Sequence, residues 1–454
     1  MTQTVELPIW LFVVIVLFAA VTFASHFLFP SVRWFFRRRL ERAVTRLNER
    51  LTVKIQPFKL LRRQDMIQRL VYDPQVTEAI VQHAAENGVR EDVAFQIARR
   101  YAREIVPSFS AFTYFGFGTR VARWLANLLY DVRTGGEDAL GGIDDDATVV
   151  FVMNHRSNMD YVLVTYLAAQ ASALSYAVGE WARVWPLSRL IKMMGAYFIR
   201  RKSRGQLYRK VLARYVHMST AGGVTQAIFP EGGLSLDGRL APPKLGLLSY
   251  VVDAHRETGR KVIFVPVALN YDRVLEDRVL TEAHHAGTRR FRARLSTIFA
   301  FVLSKLWLKL TGRFDRFGMA GVVFGAPVPL TDTSDPEALA RNLLARIEDV
   351  MPVTGVAVLA RLLLETPQDG IAQSELMDQA GSIWPQSAPV PTDAAAVPDL
   401  LTAALANLKQ RGLIVPQQGR LAANPDQTDI LRFYANTIAH YFADAEIDAA
   451  PAGS

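Results

Sequence analysis

This sequence predicts an α/β fold with a largely parallel central sheet flanked by helices, set behind an N-terminal transmembrane helix and between N- and C-terminal helical regions. Three observations predict it. From near Asp144 to about Leu330, short β-rich runs alternate with helical patterns, the texture of a parallel sheet wrapped by helices. From Leu7 to Val32 no residue is charged when His26 is neutral. Outside those stretches apolar residues recur at helical spacing, as at Leu40, Val44, Leu47 and Leu51.

The N-terminal run from Ile9 to Phe29 is long enough to cross the hydrocarbon core as a helix, which takes roughly 20 residues. Arg33, Arg37, Arg38, Arg39, Arg42 and Arg46 follow it and Glu6 precedes it. The positive-inside rule then expects a single-pass anchor with its N-terminus outside and the main body in the cytoplasm. A cleaved signal peptide would need a basic start, and MTQTVELP has none. Trp10 and Trp34 stand near the two ends, where indole rings favour the interface. The expected division is residues 1–35 anchor, 36–140 helical region, 141–332 α/β domain and 333–454 C-terminal helical region.

Within 36–140, Asp73-Pro74 opens a helix and Pro107 breaks the pattern after it. The α/β strands are expected at 148–154, 174–179, 196–201, 224–230, 261–271 and 320–328, with helices between, as over 206–218 and 244–254. Residues 384–398, rich in Pro, Ala and Ser, read as an exposed loop. The last helix is expected at 430–442. The stretch 289–316 mixes arginines and lysines with Phe301 and Trp307 and is expected to lie in a lipid headgroup layer, or else to be a core helix with basic ends.

The 454 residues are half hydrophobic, with 52 Lys and Arg against 43 Asp and Glu and no cysteine. That excludes disulfides, thiolate catalysis and cysteine-based metal sites. The net charge of +9 suits anionic lipid or an anionic substrate as well as nucleic acid. The membrane run points to lipid, so membrane lipid is the expected partner, with no nucleic acid and no metal.

Chemistry concentrates in four places. The first β-run ends in His155-Arg156-Ser157-Asn158-Met159-Asp160. A histidine there can take a proton from an alcohol, and an aspartate on its other ring nitrogen fixes the tautomer and stabilises the imidazolium. Ser157 and Asp160 also fit a helix-capping box. The second place is Gly195 to Lys202, where Arg200 and Arg201 could fork a phosphate. The third is Phe229-Pro230-Glu231-Gly232-Gly233, a turn whose backbone can approach a ligand. Pro266 in the fourth, Val265 to Arg273, suggests an edge strand or bulge that shapes a pocket wall.

Together, NHRSNMD, GAYFIRR, FPEGG and FVPVALNYDRV resemble, in order, the four blocks of the glycerolipid acyltransferase superfamily with its histidine-x4-aspartate motif. Arg156 after the histidine, FIRR and the C-terminal LRFYANTIAHYF are more similar to the glycerol-3-phosphate acyltransferases than to the lysophosphatidate enzymes. The resemblance implies an acyltransferase domain, with His155 and Asp160 catalytic. It implies acyl-CoA or acyl-carrier protein as donor, a glycerol phosphate as acceptor and no cofactor. It implies Arg156, Arg200, Arg201, Glu231, Arg239 and Lys244 around the acceptor, and Ser157, Gly232, Gly233 and Pro266 shaping the site or holding an oxyanion. The chain departs from the third block at Leu234 and Leu236, where the family has arginines that hold phosphate; Arg239 and Lys244 lie close enough to substitute. A lysophosphatidate acceptor and a non-catalytic lipid-binding role are the alternatives. Ser157 lacks the Gly-x-Ser-x-Gly setting of a hydrolase nucleophile.

Overall fold

The computed structural model describes residues 8–17, 57–61, 63–171, 173–179, 187–200, 205–287, 316–367, 369–385 and 396–442. The chain divides into two compact units, Met1–Lys54 and Ile55–Ser454. In the first, residues 9–17 form a helix with exposed apolar side chains. Among the described residues no helix is long and apolar enough to cross a membrane. Residues 18–29 of the expected span lie outside the described residues, as do the arginine-rich helix after it, Arg201 and nearly all of 289–316.

The second unit is built on a sheet of eight strands: β1 (Asp131–Gly135), β2 (Thr148–Met153), β3 (Ser175–Gly179), β4 (Tyr197–Ile199), β5 (Gln226–Ile228), β6 (Val262–Tyr271), β7 (Met319–Phe324) and β8 (Val328–Pro329). Their spatial order is β1-β7-β6-β2-β5-β3-β4, with β8 also pairing β6. β7 and β8 run antiparallel to β6, and the other pairs are parallel. Every residue of β2 is buried, which is why its sequence is an unbroken apolar run rather than an alternation. Val150, Val152, Ile228, Phe264 and Ala268 enter one core with the helices Arg63–Val71, Pro74–Asn87, Glu91–Ile105, Gln206–Ala221 and Gly246–Thr258. Pro74–Asn87 starts where Asp73 caps the Gln75 N–H at 3.0 Å, and Glu91–Ile105 ends two residues before Pro107, as a proline requires.

Three features differ from the sequence reading. The expected strand 320–328 is two, β7 and β8, divided at Gly325-Ala326-Pro327 where Pro327 has no N–H to give. β1 joins the sheet from inside the expected helical region. It is half-buried throughout and pairs only with β7, so it needs no apolar run. The C-terminal region holds an antiparallel hairpin, β9 (Ile414–Gln417) and β10 (Arg420–Ala423). Gln418 and Gly419 both take positive φ at its tip, the conformation of a two-residue hairpin turn. The hairpin packs with the helices Gly355–Glu365 and Val397–Gln410 and is bridged from Ile371 to Leu421.

Candidate active site

β2 lies between β5 and β6, all three parallel. Their carboxyl ends therefore open at the same edge, and the first, third and fourth motifs meet there. Asn154 locks the junction: its side-chain amide both donates to and accepts from the backbone of Leu269, each at 2.8 Å. The next residue is His155.

His155 Nδ1 stands 2.8 Å from Asp160 Oδ2. The same oxygen accepts the Arg156 N–H at 2.8 Å and the Ser157 N–H at 3.1 Å, and Oδ1 accepts the Tyr271 hydroxyl at 2.5 Å. Asp160 is wholly buried and opens the helix Asp160–Ala171. Its reach back to the Ser157 N–H is half of the expected capping box. Ser157 itself caps the Met159 N–H at 3.1 Å. The His155 ring leans on Phe229, with centroids 4.4 Å apart. Its Nε2 faces the Tyr161 hydroxyl at 3.4 Å, and Tyr161 stacks on Tyr176. With His155 only 2 % exposed, a reacting hydroxyl must reach Nε2 along this aromatic wall.

Two residues that the sequence reading did not single out hold this loop. Tyr271 is one; burial and the adjacent Asp160 push its hydroxyl pKa well up, so it stays a donor. Glu276 is the other. It accepts from Ser157 Oγ at 2.7 Å, Asn158 Nδ2 at 3.0 Å and Asn158 N at 3.3 Å. Burial raises its pKa, and the bonds from Ser157 and Asn158 oppose that rise.

Several expected ligands are brought to the site as braces instead. Glu231 accepts the His155 N–H at 2.8 Å and the Ala241 N–H at 2.9 Å, so both oxygens face backbone rather than substrate. Arg156 is 1 % exposed and donates from Nη1 to the carbonyls of Gly238 and Arg239, while its Nε is buried without a hydrogen-bond partner. Arg200 pairs with Glu104 through two bonds, 2.9 and 2.7 Å, and lies over Tyr101 and Tyr208. Glu104 raises its pKa. Arg200 also follows β4, three strands from β2, roughly 14 Å at the usual strand spacing.

The expected oxyanion donors are largely taken. The Arg156 and Ser157 amides serve Asp160, the Asn158 amide serves Glu276, and Gly232 donates to the Phe229 carbonyl at 3.0 Å. Gly232 has φ +67° and the Lys244 chain lies across it, so the tight turn is its reason. Gly233 follows in the same turn. Pro266 lies not on an edge but in β6, between parallel β2 and the antiparallel β7 and β8. Its missing N–H falls where the partner of β6 changes from β8, ending at Phe264↔Val328, to β7, starting at Val267↔Phe324, so no ladder bond is lost. Arg239 and Lys244 have exposed side chains, and Arg273 lies over Phe317 at 4.4 Å. A cleft of about 490 Å³ lies elsewhere, lined by Gln75, Arg209, Arg214, Tyr250 and Glu257. Among the described residues no group of His, Cys, Asp and Glu could hold a metal.

The third-motif loop is held from outside by the helix Thr428–Asn436. Asn436 donates to the Asp237 carbonyl at 2.8 Å, and Gly238 (φ +87°) packs so close to the Phe433 carbonyl that a Cβ would stand 1.9 Å from it. Tyr434 bonds Asp277 at 2.5 Å and the Val274 N–H at 2.9 Å. This helix therefore fixes the backbone on both sides of the site.

Sheet and histidine–aspartate pair place the second unit among the α/β acyltransferases. The family model described as Acyltransferase matches residues 138–270, and that of the glycerol-3-phosphate acyltransferase C-terminal region matches 307–449. The chain is 26 % identical to a glycerol-3-phosphate acyltransferase of Alteromonas mediterranea, over 85 % of this chain and 50 % of the relative. It is 27 % identical to one of Pseudomonas paraeruginosa, over 89 % and 52 %, and 31 % identical to one of Ectopseudomonas mendocina, over 61 % and 33 %. The chain thus belongs to the glycerol-3-phosphate acyltransferase family, and spans about half the length of the curated relatives it matches. A crystal structure of a 1-acyl-sn-glycerophosphate acyltransferase from Thermotoga maritima aligns with TM-score 0.33 and 20 % identity, over 60 % of this chain and 91 % of that one, too distant to support any argument.

Proposed function

We propose that this protein moves a fatty acyl group from an acyl thioester, acyl-CoA or acyl-carrier protein, to a hydroxyl of glycerol 3-phosphate. The observation that carries the reading is the 2.8 Å contact of His155 Nδ1 with buried Asp160, which leaves Nε2 as the working nitrogen. Nε2 takes the hydroxyl proton as the oxygen attacks the thioester carbonyl. The tetrahedral oxyanion then collapses, expelling the thiolate, which the imidazolium protonates. No covalent enzyme intermediate is required. Asp160, fixed by Tyr271 and two amides, stabilises the imidazolium. Arg239 and Lys244, exposed beside the Glu231-Gly232-Gly233 turn, are the residues we assign to the acceptor phosphate.

A 1-acylglycerol 3-phosphate acceptor is the second reading. Thioester consumption by the purified full chain with each acceptor decides between them, and no transfer to either overturns both. His155→Ala should lower turnover by about 10²–10⁴-fold, the usual worth of a general base, with its circular dichroism unchanged. Near-normal turnover by that variant would remove His155 from the mechanism.

The same reading includes a single-pass N-terminal anchor at 9–29 with the catalytic unit in the cytoplasm. The helical, exposed apolar stretch 9–17 and the arginines after the run support it. Protease protection of the N-terminus in sealed inverted vesicles tests it; digestion there at the same rate as the catalytic unit would overturn the orientation.

A further inference from the structure

Three of the four exposed aromatic side chains in the described part of the second unit lie close together in the chain. Phe112, Phe117 and Trp124 are 82, 54 and 46 % exposed, with Val121 beside them at 39 %. They belong to one continuous helical stretch, the wide turn Phe112–Gly118 running into the helix Thr119–Leu129. Phe117, Val121 and Trp124 recur at intervals of four and three, so they form one stripe. The opposite side of the helix buries Ala122, Ala126, Leu128 and Leu129. The remaining exposed large apolar residues of this unit, Leu60, Tyr72, Val81, Val93 and Val279, are well separated in sequence, as single exposed apolar residues normally are.

The charge beside the stripe has one sign. Arg120 and Arg123 are exposed along it, and no Asp or Glu occurs between Glu104 and Asp131. An apolar stripe of Phe and Trp flanked by arginines is the pattern of a helix that lies in an anionic headgroup layer. Trp rings favour that depth, and arginines near the surface are attracted to anionic lipid. A protein partner would more commonly be met by a mixed-charge rim.

Position gives the face a purpose. The helix Thr119–Leu129 packs against Asp160–Ala171, which carries Asp160 and Tyr161, and Arg123 lies over the Tyr166 ring at 5.7 Å. We propose that Phe112, Phe117, Val121 and Trp124, with Arg120 and Arg123, seat the catalytic unit on an anionic phospholipid bilayer, next to the helix that opens the active site. The purpose, though not the docking itself, rests on the acyltransferase reading, because an acylated product has to leave into lipid.

The absence of native cysteine makes a direct test possible in the full chain. Single cysteines at Phe117→Cys and Val121→Cys carry an environment-sensitive fluorophore, and Val81→Cys on the helix Pro74–Asn87 serves as reference. Vesicles are an equal mixture of phosphatidylglycerol and phosphatidylcholine, or phosphatidylcholine alone, with nitroxides on the acyl chains as quenchers. On the mixed vesicles the labels at 117 and 121 should shift to the blue and be quenched from the lipid side, while the label at 81 stays accessible to water-soluble quencher. Arg120→Glu with Arg123→Glu should reduce the lipid quenching at 117 several-fold and bring it to the phosphatidylcholine level. The N-terminal run can tether every variant to vesicles without producing this pattern. Labels at 117 and 121 that stay in water on bound protein, or that are shielded before vesicles are added, would overturn the proposal. Neither result touches acyl transfer, which is assayed separately.

Discussion

Tyr271 donates its hydroxyl to Asp160 Oδ1 at 2.5 Å, from the end of β6 to the residue that orients His155. Asp160 thereby accepts four hydrogen bonds, and only the one from His155 concerns the working ring. The other three hold the carboxylate so that Oδ2 cannot rotate away from Nδ1. Tyr271→Phe removes one of them without changing shape. A hydrogen bond to a charged group is worth about 1.5–3 kcal/mol, so kcat should fall roughly 10–100-fold with the acceptor KM little changed. An equal loss in KM would mean that Tyr271 contacts substrate instead of positioning Asp160.

What could be read in the sequence follows from how local each contact is. His155 and Asp160 are five residues apart and face each other across one loop–helix junction, so their spacing was compatible with the contact, and the four ordered motifs together singled the pair out. Tyr271 and Glu276 act on the same loop from 111 and 119 residues away, and no spacing shows that. The arginines were visible as charges while their partners were not: Arg156 is engaged by a carbonyl 82 residues on, Arg200 by a carboxylate 96 residues back. Strands behaved alike. β2 and β6 were plain as buried apolar runs, whereas β1, with Val132 as its one large apolar residue, joins the sheet through backbone pairing with β7.

Gly238 tests how far the C-terminal helix holds the site. Its φ of +87° and the Phe433 carbonyl at 1.9 Å from a built Cβ leave no room for any side chain. Gly238→Ala should cost well over the 1–3 kcal/mol of left-handed backbone alone, since the loop must lift off and Arg156 loses a carbonyl. Gly259→Ala is the control: its φ is +65° with nothing within 4 Å, so it should cost only the roughly 1–3 kcal/mol of left-handed backbone. Urea midpoints of the two variants should differ clearly; equal midpoints would show that the loop moves freely.

Asp272 gives stability a pH dependence of unusual sign. It is buried, accepts the Met319 and Val356 N–H groups at 2.7 and 2.9 Å, and burial pushes its pKa from 3.8 to about 6. The folded chain therefore holds this proton more tightly than the unfolded chain. Its contribution is most favourable below about pH 4, declines as pH rises through 4 to 6, and is constant above. The full change is about 3 kcal/mol at 1.36 kcal/mol per unit. Asp272→Asn does not titrate, so the stability of the native chain relative to this variant should fall from pH 4.5 to pH 7. A difference that is flat or rises over that range would contradict the raised pKa.

The last prediction separates cations that hold phosphate from cations that hold the fold. Lys244 crosses Gly232 in the turn next to Phe229, whose ring rests on His155, and Arg239 is exposed in the same loop. Arg200 is committed to Glu104 at 2.7 Å, with that carboxylate buried. Removing one charged phosphate contact should cost about 1.5–3 kcal/mol of acceptor binding. Lys244→Ala or Arg239→Ala should therefore raise the acceptor KM by roughly 10–100-fold while the donor KM and the melting temperature stay near those of the native chain. Arg200→Gln should do the reverse. It removes the two bonds that Arg200 gives Glu104, and it should lower the melting temperature with the acceptor KM unchanged. Leu234→Arg supplies a cation where the family has one. If Lys244 and Arg239 already fill that place, it gains no acceptor affinity in the native background and restores affinity in Lys244→Ala. If instead Arg200→Gln raises the acceptor KM and keeps its stability, the phosphate lies on the β4 side and the assignment to Lys244 and Arg239 is wrong.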